Sequence, residues 1–239
     1  MIENFNDLAE TWNGKAWADD DKFNDYIGQF VGGRGQRILD VGSGTGLLVP
    51  WFQGTVYACD ISAKMLRKNP LFPERTSINQ EYSLPYVNDC FDIVFSRNLL
   101  KHVEQPERII SEMYRVLKPG GRLVTVESCL FDGIDNSIPN ALSRITHGDK
   151  RPFFYLSDIA KLHQNPVIVR TYQWRGWWFK KWKKASRVKP SDAERAFKLY
   201  VTAPSVFARS QNVEVTRYDV KSIIDFAIIE SIKPEAVTK

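Results

Sequence analysis

Residues 38–46 read ILDVGSGTG: a short apolar run closes on Asp40 and breaks at once into glycines at 42, 44 and 46. The run predicts a buried strand over 37–41 that stops in a tight turn, with a helix opening beyond it. Glycine at those positions lets backbone N–H groups approach a ligand that a side chain would hold away. A helix start adds partial positive charge at the same spot. The stretch reads as a binding turn for a nucleotide-like ligand, with Asp40, Gly42, Ser43, Gly44 and Gly46 around it. Its GxGxG spacing is neither the GxGxxG of dinucleotide sites nor the GxxxxGK[ST] phosphate loop.

Outward from the turn, the next apolar run, 56–59, ends on Asp60, twenty positions after Asp40. A carboxylate there is placed to grip the two hydroxyls of a ribose. Further on, 91–95 (FDIVF) is a buried-type strand that releases Ser96, Arg97 and Asn98 at its C-terminal end. Ligands of open α/β sheets bind outside those strand ends, so 96–102 borders the site. His102, whose free imidazole has its pKa near neutrality, is a candidate base, or else a flank histidine bonding locally. Strand 122–127 brings Glu127 to the same rim as a second candidate for a substrate contact.

Four blocks, ILDVGSGTG at 38–46, CDISAKML at 59–66, SLPYVNDCFDIVFSRNLLKHV at 83–103 and EMYRVLKPGGRLVTVES at 112–128, resemble the class I S-adenosylmethionine-dependent methyltransferases, in the ubiquinone- and menaquinone-type branch. The resemblance implies an α/β fold: a Rossmann-like seven-stranded sheet, mostly parallel with an antiparallel last strand, helices on both faces and an insertion after strand five. It implies S-adenosylmethionine as cofactor, S-adenosylhomocysteine as product and no metal. Ile61 and Met65, one helical turn apart, would face the adenine, although the spacing suits core packing equally. The family's acidic contact to the adenine amino group, counted back from Leu84-Pro85, falls on Gln80 with Glu81 adjacent. Ser96 and Arg97 complete the expected cofactor set. The N-terminal helical stretch, with Phe5, Leu8, Ala9 and Trp12, then Trp17, Phe23, Tyr26, Ile27 and Phe30, folds over the ligands or packs on the sheet edge.

A chain of 239 residues suits one large α/β domain, divided here into an N-terminal helical lid (1–31), a cofactor-binding core (32–128), a substrate-lid insertion (129–190) and a C-terminal part (191–239). In the last, 191–210 is expected as a helix opened by a capping box of Ser191 and Glu194, with 212–218 as strand six and 225–231 as strand seven. A short helix is expected over 47–53. Cys59, Cys90 and Cys129 show no metal-ligand spacing and suit reduced thiols. With the acidic start MIENFNDLAE, unlike a secretion signal, they suggest a cytoplasmic protein.

The net charge of +5 is local. From 170 to 190 there are eight basic residues and no acidic one, so the rest of the chain is net negative. There, WRGWWFKKWKK at 174–184 holds four of the seven tryptophans. Drawn as a helix, it puts them on one sector. Such a segment suits peripheral membrane contact, a nucleic-acid surface, or a lid walling a pocket for an anionic or aromatic small molecule; a helix packed by its tryptophans is the plain alternative. The functions kept open are methylation of a small molecule at oxygen or nitrogen, methylation of tRNA or rRNA, and cofactor binding without catalysis. The chain lacks an NPPY-type tetrapeptide after strand four, which counts against base amino groups.

Overall fold

The computed structural model describes residues 2–10, 12–14, 20–80, 82–148, 152–164, 166–186 and 188–235. Five runs of mainly apolar, β-branched and aromatic residues form the parallel half of one sheet: β1 (Arg37–Val41), β2 (Thr55–Asp60), β3 (Thr76–Ile78), β4 (Phe91–Arg97) and β5 (Leu117–Cys129). They read as continuous apolar runs because helices cover both faces. β1 lies between β2 and β4, with Leu39 opposite Tyr57 and Val94. All five run the same way, so Val41, Asp60, Arg97 and Cys129 reach one rim.

The other half is built from β6 (Pro166–Trp178), β7 (Glu214–Val215) and β8 (Val220–Ile232). The order is β3-β2-β1-β4-β5-β8-β6, with β7 beside β8, and β8 runs antiparallel to β5 and β6. The expected mostly parallel sheet is therefore present, with a two-residue eighth strand at its side. Strand six was expected at 212–218, but it is β6, inside the stretch assigned to an insertion. Only 214–215 of the expected strand pairs with the sheet.

The helices are α1 (Ile2–Leu8), α2 (Asp21–Val31), α3 (Ala63–Leu66), α4 (Pro106–Val116), α5 (Ser137–His147), α6 (Leu156–Leu162), α7 (Phe179–Ser186), α8 (Pro190–Val201) and α9 (Ser205–Ser210). The Asp20 carboxylate accepts the Phe23 N–H (3.0 Å) and starts α2. Its Phe23, Ile27 and Val31 join Trp174 and Phe226 in the core of one face. On the other face α4 buries Ile109, Ile110 and Met113 with Leu39 and Val94. The expected helix 191–210 is two helices, because Pro204 disfavours the helical conformation before it. It begins at Pro190, whose missing N–H costs nothing at a helix start, and no side chain caps it, so the Ser191–Glu194 box does not form. The expected helix 47–53 is a single 3₁₀ turn, Val49–Trp51, with Pro50 inside it.

The aromatic basic segment is not one helix. Through Trp178 it is strand, and only then does α7 begin. Trp174 and Trp177 would face opposite sides in a regular strand, yet both are buried in the same core. The register shifts between them, and Gly176 sits so close under Trp174 that a Cβ there would come 2.3 Å from its ring. This bulge turns both indoles inward.

Candidate functional site

β1 ends in the glycine turn, and the turn is tied to the end of β2. The Gly42 and Ser43 N–H groups donate to the Cys59 carbonyl (2.9 and 3.0 Å). The Gly44 N–H donates to Asp60 Oδ2 and the Ser62 N–H to Asp60 Oδ1, both 2.8 Å. Gly42, Gly44 and Gly46 all have positive φ (68°, 54° and 76°), which glycine adopts without strain. A Cβ on Gly44 would point at Trp12 Nε1 (3.6 Å) and Met65 Sδ (4.0 Å), into the space between turn and N-terminal segment. Burial pushes the Asp60 carboxyl up, and the N–H groups of Ser62, Gly44 and Ile61 pull it back.

The turn opens on a cleft lined by Gly42, Gly44, Asp60, Ile61, Met65 and Arg97 from the expected cofactor set, and by His102. Phe5 and Trp12 line it from the other side. They are held there by polar clamps: Ser62 Oγ donates to Asn6 Oδ1 (2.7 Å), Thr45 Oγ1 to Asn13 Oδ1 (2.5 Å), and Lys68 pairs with Glu10 (2.7 Å). His102 is buried and meets the Phe5 ring edge-on at 5.1 Å.

The remaining expected residues lie elsewhere. Asp40 is buried beside the cleft rather than in its lining. Burial pushes its carboxyl up to about 7 against the pull of the Arg97 guanidinium, which burial in turn lowers to about 10. Ser43 accepts from Asn69 Nδ2 (3.3 Å), and Gly46 backs onto Asn69 and Pro70, so both form the outer side of the turn. Ser96 is buried within the sheet, its hydroxyl without a hydrogen-bond partner. Gln80 is exposed outside the lining, and Glu81 and Trp17 lie outside the described residues. Glu127 is wholly buried: its Oε1 accepts the Leu99 and Leu100 N–H groups (2.7 and 2.8 Å), and its Oε2 has no partner. Burial pushes it up to about 7 despite the nearby Lys101 charge.

One residue that sequence reasoning passed over is Asn79. It is buried and lines the cleft. Its Nδ2 donates to the Gln80 carbonyl (2.8 Å), which fixes the amide's orientation and leaves Oδ1 as a buried acceptor without a partner. Counting back from Leu84 selected its neighbour.

Beyond Asn98 and Leu99 lies a second pocket, lined by Lys101, Ser128, Cys129 and an aromatic wall of Phe153, Trp174, Trp177, Trp182, Tyr200 and Phe207. Asn98 Oδ1 links the two: it accepts from the Ser128 N–H (3.2 Å) and from Lys101 Nζ (3.4 Å). The two spaces thus approach each other at the end of β4.

Residues 39–125 match a family described as a methyltransferase domain. Among curated relatives, the ubiquinone/menaquinone biosynthesis C-methyltransferase UbiE of Yersinia enterocolitica is 31% identical over 161 residues, 58% of this chain and 64% of that protein. Its Vibrio parahaemolyticus counterpart is 30% identical over 152 residues, 54% and 59% of the two lengths. The matches thus span less than two thirds of either relative. Among solved structures, a putative methyltransferase of Bacillus halodurans superposes with a TM-score of 0.78 at 18% identity, covering 89% of this chain and 99% of that one. The YcgJ protein from Bacillus does so at 0.76 and 18%, covering 89% and 98%. At such identity these two speak to the fold.

Proposed function

We propose, from the premise that this chain belongs to the class I S-adenosylmethionine-dependent methyltransferases, that it transfers a methyl group from S-adenosylmethionine to a small molecule held in the aromatic pocket. The observation that carries the reading is the joint between glycine turn and Asp60, with Gly44 N–H and carboxylate 2.8 Å apart at the mouth of a cleft. The residues suit an adenosyl group. Each Asp60 oxygen keeps a lone pair beyond its backbone bond, enough for two ribose hydroxyls. Ile61 and Met65 flank the space for the adenine, and Asn79 Oδ1 stands where its amino group needs an acceptor. Asp40 and Arg97 set the charge at the base of the cleft, Phe5 and Trp12 close it as a lid, and His102 stands at its edge.

When bound, the cofactor supplies a methyl group on a positively charged sulfur, open to displacement by a nucleophile. What the chain adds is alignment of donor and acceptor in a space that excludes water. The named relatives add carbon to oxygen and nitrogen as acceptor atoms, and the aromatic wall suits a ring-bearing metabolite. RNA is the weaker reading: Trp174 and Trp177 are buried in the pocket wall, where they cannot stack on bases.

Calorimetry with S-adenosylhomocysteine tests the cofactor, and transfer of tritiated methyl into small-molecule extracts rather than RNA tests the acceptor. Asp60→Ala should weaken S-adenosylhomocysteine binding about tenfold or more. An unchanged affinity would remove Asp60 from the ribose site.

A further inference from the structure

The basic segment has an inner and an outer face. On α7 the aromatic residues Phe179 and Trp182 pack into the core, while Lys180, Lys181, Lys183 and Lys184 are exposed and share the opposite side of the helix. Trp178, at the end of β6, is 40% exposed, and the Lys181 and Lys221 ammonium groups lie over its ring, 5.5 and 4.9 Å from the centroid. The start of α7 is fastened to the turn between β7 and β8, where Asp219 Oδ1 accepts the Lys180 N–H (3.1 Å). That turn presents Tyr218, 68% exposed, with the Arg217 guanidinium 5.2 Å from its ring centroid. Helix, turn and the start of β8 thus make one cationic surface. Two carboxylates belong to these elements, Glu214 and Asp219, and Asp219 is engaged by the Lys180 and Val220 N–H groups. Among the described residues, no ion pair engages any of the five lysines.

Like charges crowded on one side of a short helix repel one another, and an extended array of negative charge relieves that repulsion. A nucleic acid would use the exposed rings as stacking platforms. Here a cation already lies over each of them, so their edges, rather than free faces, are offered outward. Tryptophan and tyrosine edges beside lysines match a lipid headgroup layer, where such rings sit at the boundary and ammonium groups reach the phosphates. We propose that the face formed by α7, Trp178 and the β7–β8 turn docks on an anionic lipid surface. Trp178 and Trp182 also line the aromatic pocket, so docking holds that pocket next to the bilayer. Attachment of this kind is independent of whether the protein transfers a methyl group.

The test is cosedimentation of the full-length protein with vesicles of phosphatidylcholine alone, or with about a third phosphatidylserine, at about 0.1 M salt. Attachment to the serine-containing vesicles should be about tenfold or more tighter than to the others. Each basic group near an anionic surface strengthens attachment about fivefold. Lys181→Gln combined with Lys183→Gln and Lys184→Gln should therefore weaken it about a hundredfold. Arg34→Gln combined with Lys64→Gln and Lys161→Gln, exposed residues elsewhere on the chain, lowers the net charge by the same amount and should change attachment less than about twofold. Equal loss in the two triple variants overturns the proposal, because net charge rather than this face would then govern attachment. Equal attachment to both kinds of vesicle overturns it too, as does attachment to neither; in that last case, binding of a single-stranded oligouridylate would assign the face to nucleic acid. Should the α7 triple variant not fold, Lys181→Gln is compared with Lys64→Gln under the same criteria, with a loss of about fivefold expected in the first alone.

Discussion

Asn79 offers the cleft a single unengaged acceptor atom. With its nitrogen engaged by the Gln80 carbonyl, its oxygen prefers a donor and is repelled by another acceptor. Wild-type protein should therefore bind S-adenosylhomocysteine in preference to the 6-oxo analogue S-inosylhomocysteine. Asn79→Leu should weaken the first about ten- to hundredfold and lose the preference, as read by calorimetry. Glu127 and Asp40 give a prediction in pH. Burial raises both from their ordinary values of 4.5 and 3.8 to about 7, so the folded state binds their protons more tightly than the unfolded chain. Their contribution to stability is full below the unfolded values and is lost as pH rises toward 7. Urea unfolding of Glu127→Gln between pH 4.5 and 8 should show the variant gaining on wild type through that window, by up to about 3 kcal/mol. A constant difference would mean that Glu127 is ionised throughout.

Among the elements, the bulge before Trp177 leaves no room for a side chain at Gly176. Gly176→Ala would drive a Cβ into the Trp174 ring, whose Nε1 donates to Asp20 Oδ2 (2.7 Å) at the start of α2. The ring cannot move without breaking that bond. The variant should lose about 1–3 kcal/mol of stability and show altered tryptophan emission, whereas Gly133→Ala, with nothing within 4 Å but an unfavourable φ of 85°, should lose stability without the emission change. The same bulge explains what the sequence concealed. β1, β2, β4 and β5 were legible because each is an apolar run with a telling residue at its end: Asp40, Asp60, Arg97, Glu127. β6 has no such pattern. Its alternation fails at Arg175 and Gly176, its tryptophans read together with the lysines of α7 mimic a helix, and its place in the sheet depends on β8, dozens of residues away. Asn79 was hidden for a different reason: its importance lies in a side-chain bond to the next residue, which no spacing reveals.

For the whole molecule, the two cavities have no lining residue in common and draw on different parts of the chain. The cofactor cleft comes from the N-terminal segment and β1 to β4, with Ile109 of α4; the aromatic pocket comes mainly from everything after β5. A ligand that binds only the folded protein stabilises it in proportion to its saturation. S-adenosylhomocysteine at about a hundredfold its dissociation constant should raise the melting midpoint by roughly 5–10 °C. A scan showing two separate transitions, with only one shifted, would reveal that the halves do not melt together.

The antiparallel placement of β8 between β5 and β6 has a consequence for biosynthesis. β6 leaves the ribosome first, yet its seat in the sheet does not exist until Val220–Ile232 has followed it out. Until then β6 has no strand to pair with, and the nascent chain carries an unpaired aromatic strand beside a run of lysines. The strands β1 to β5 can be complete while the other end of the sheet is still waiting for its central strand.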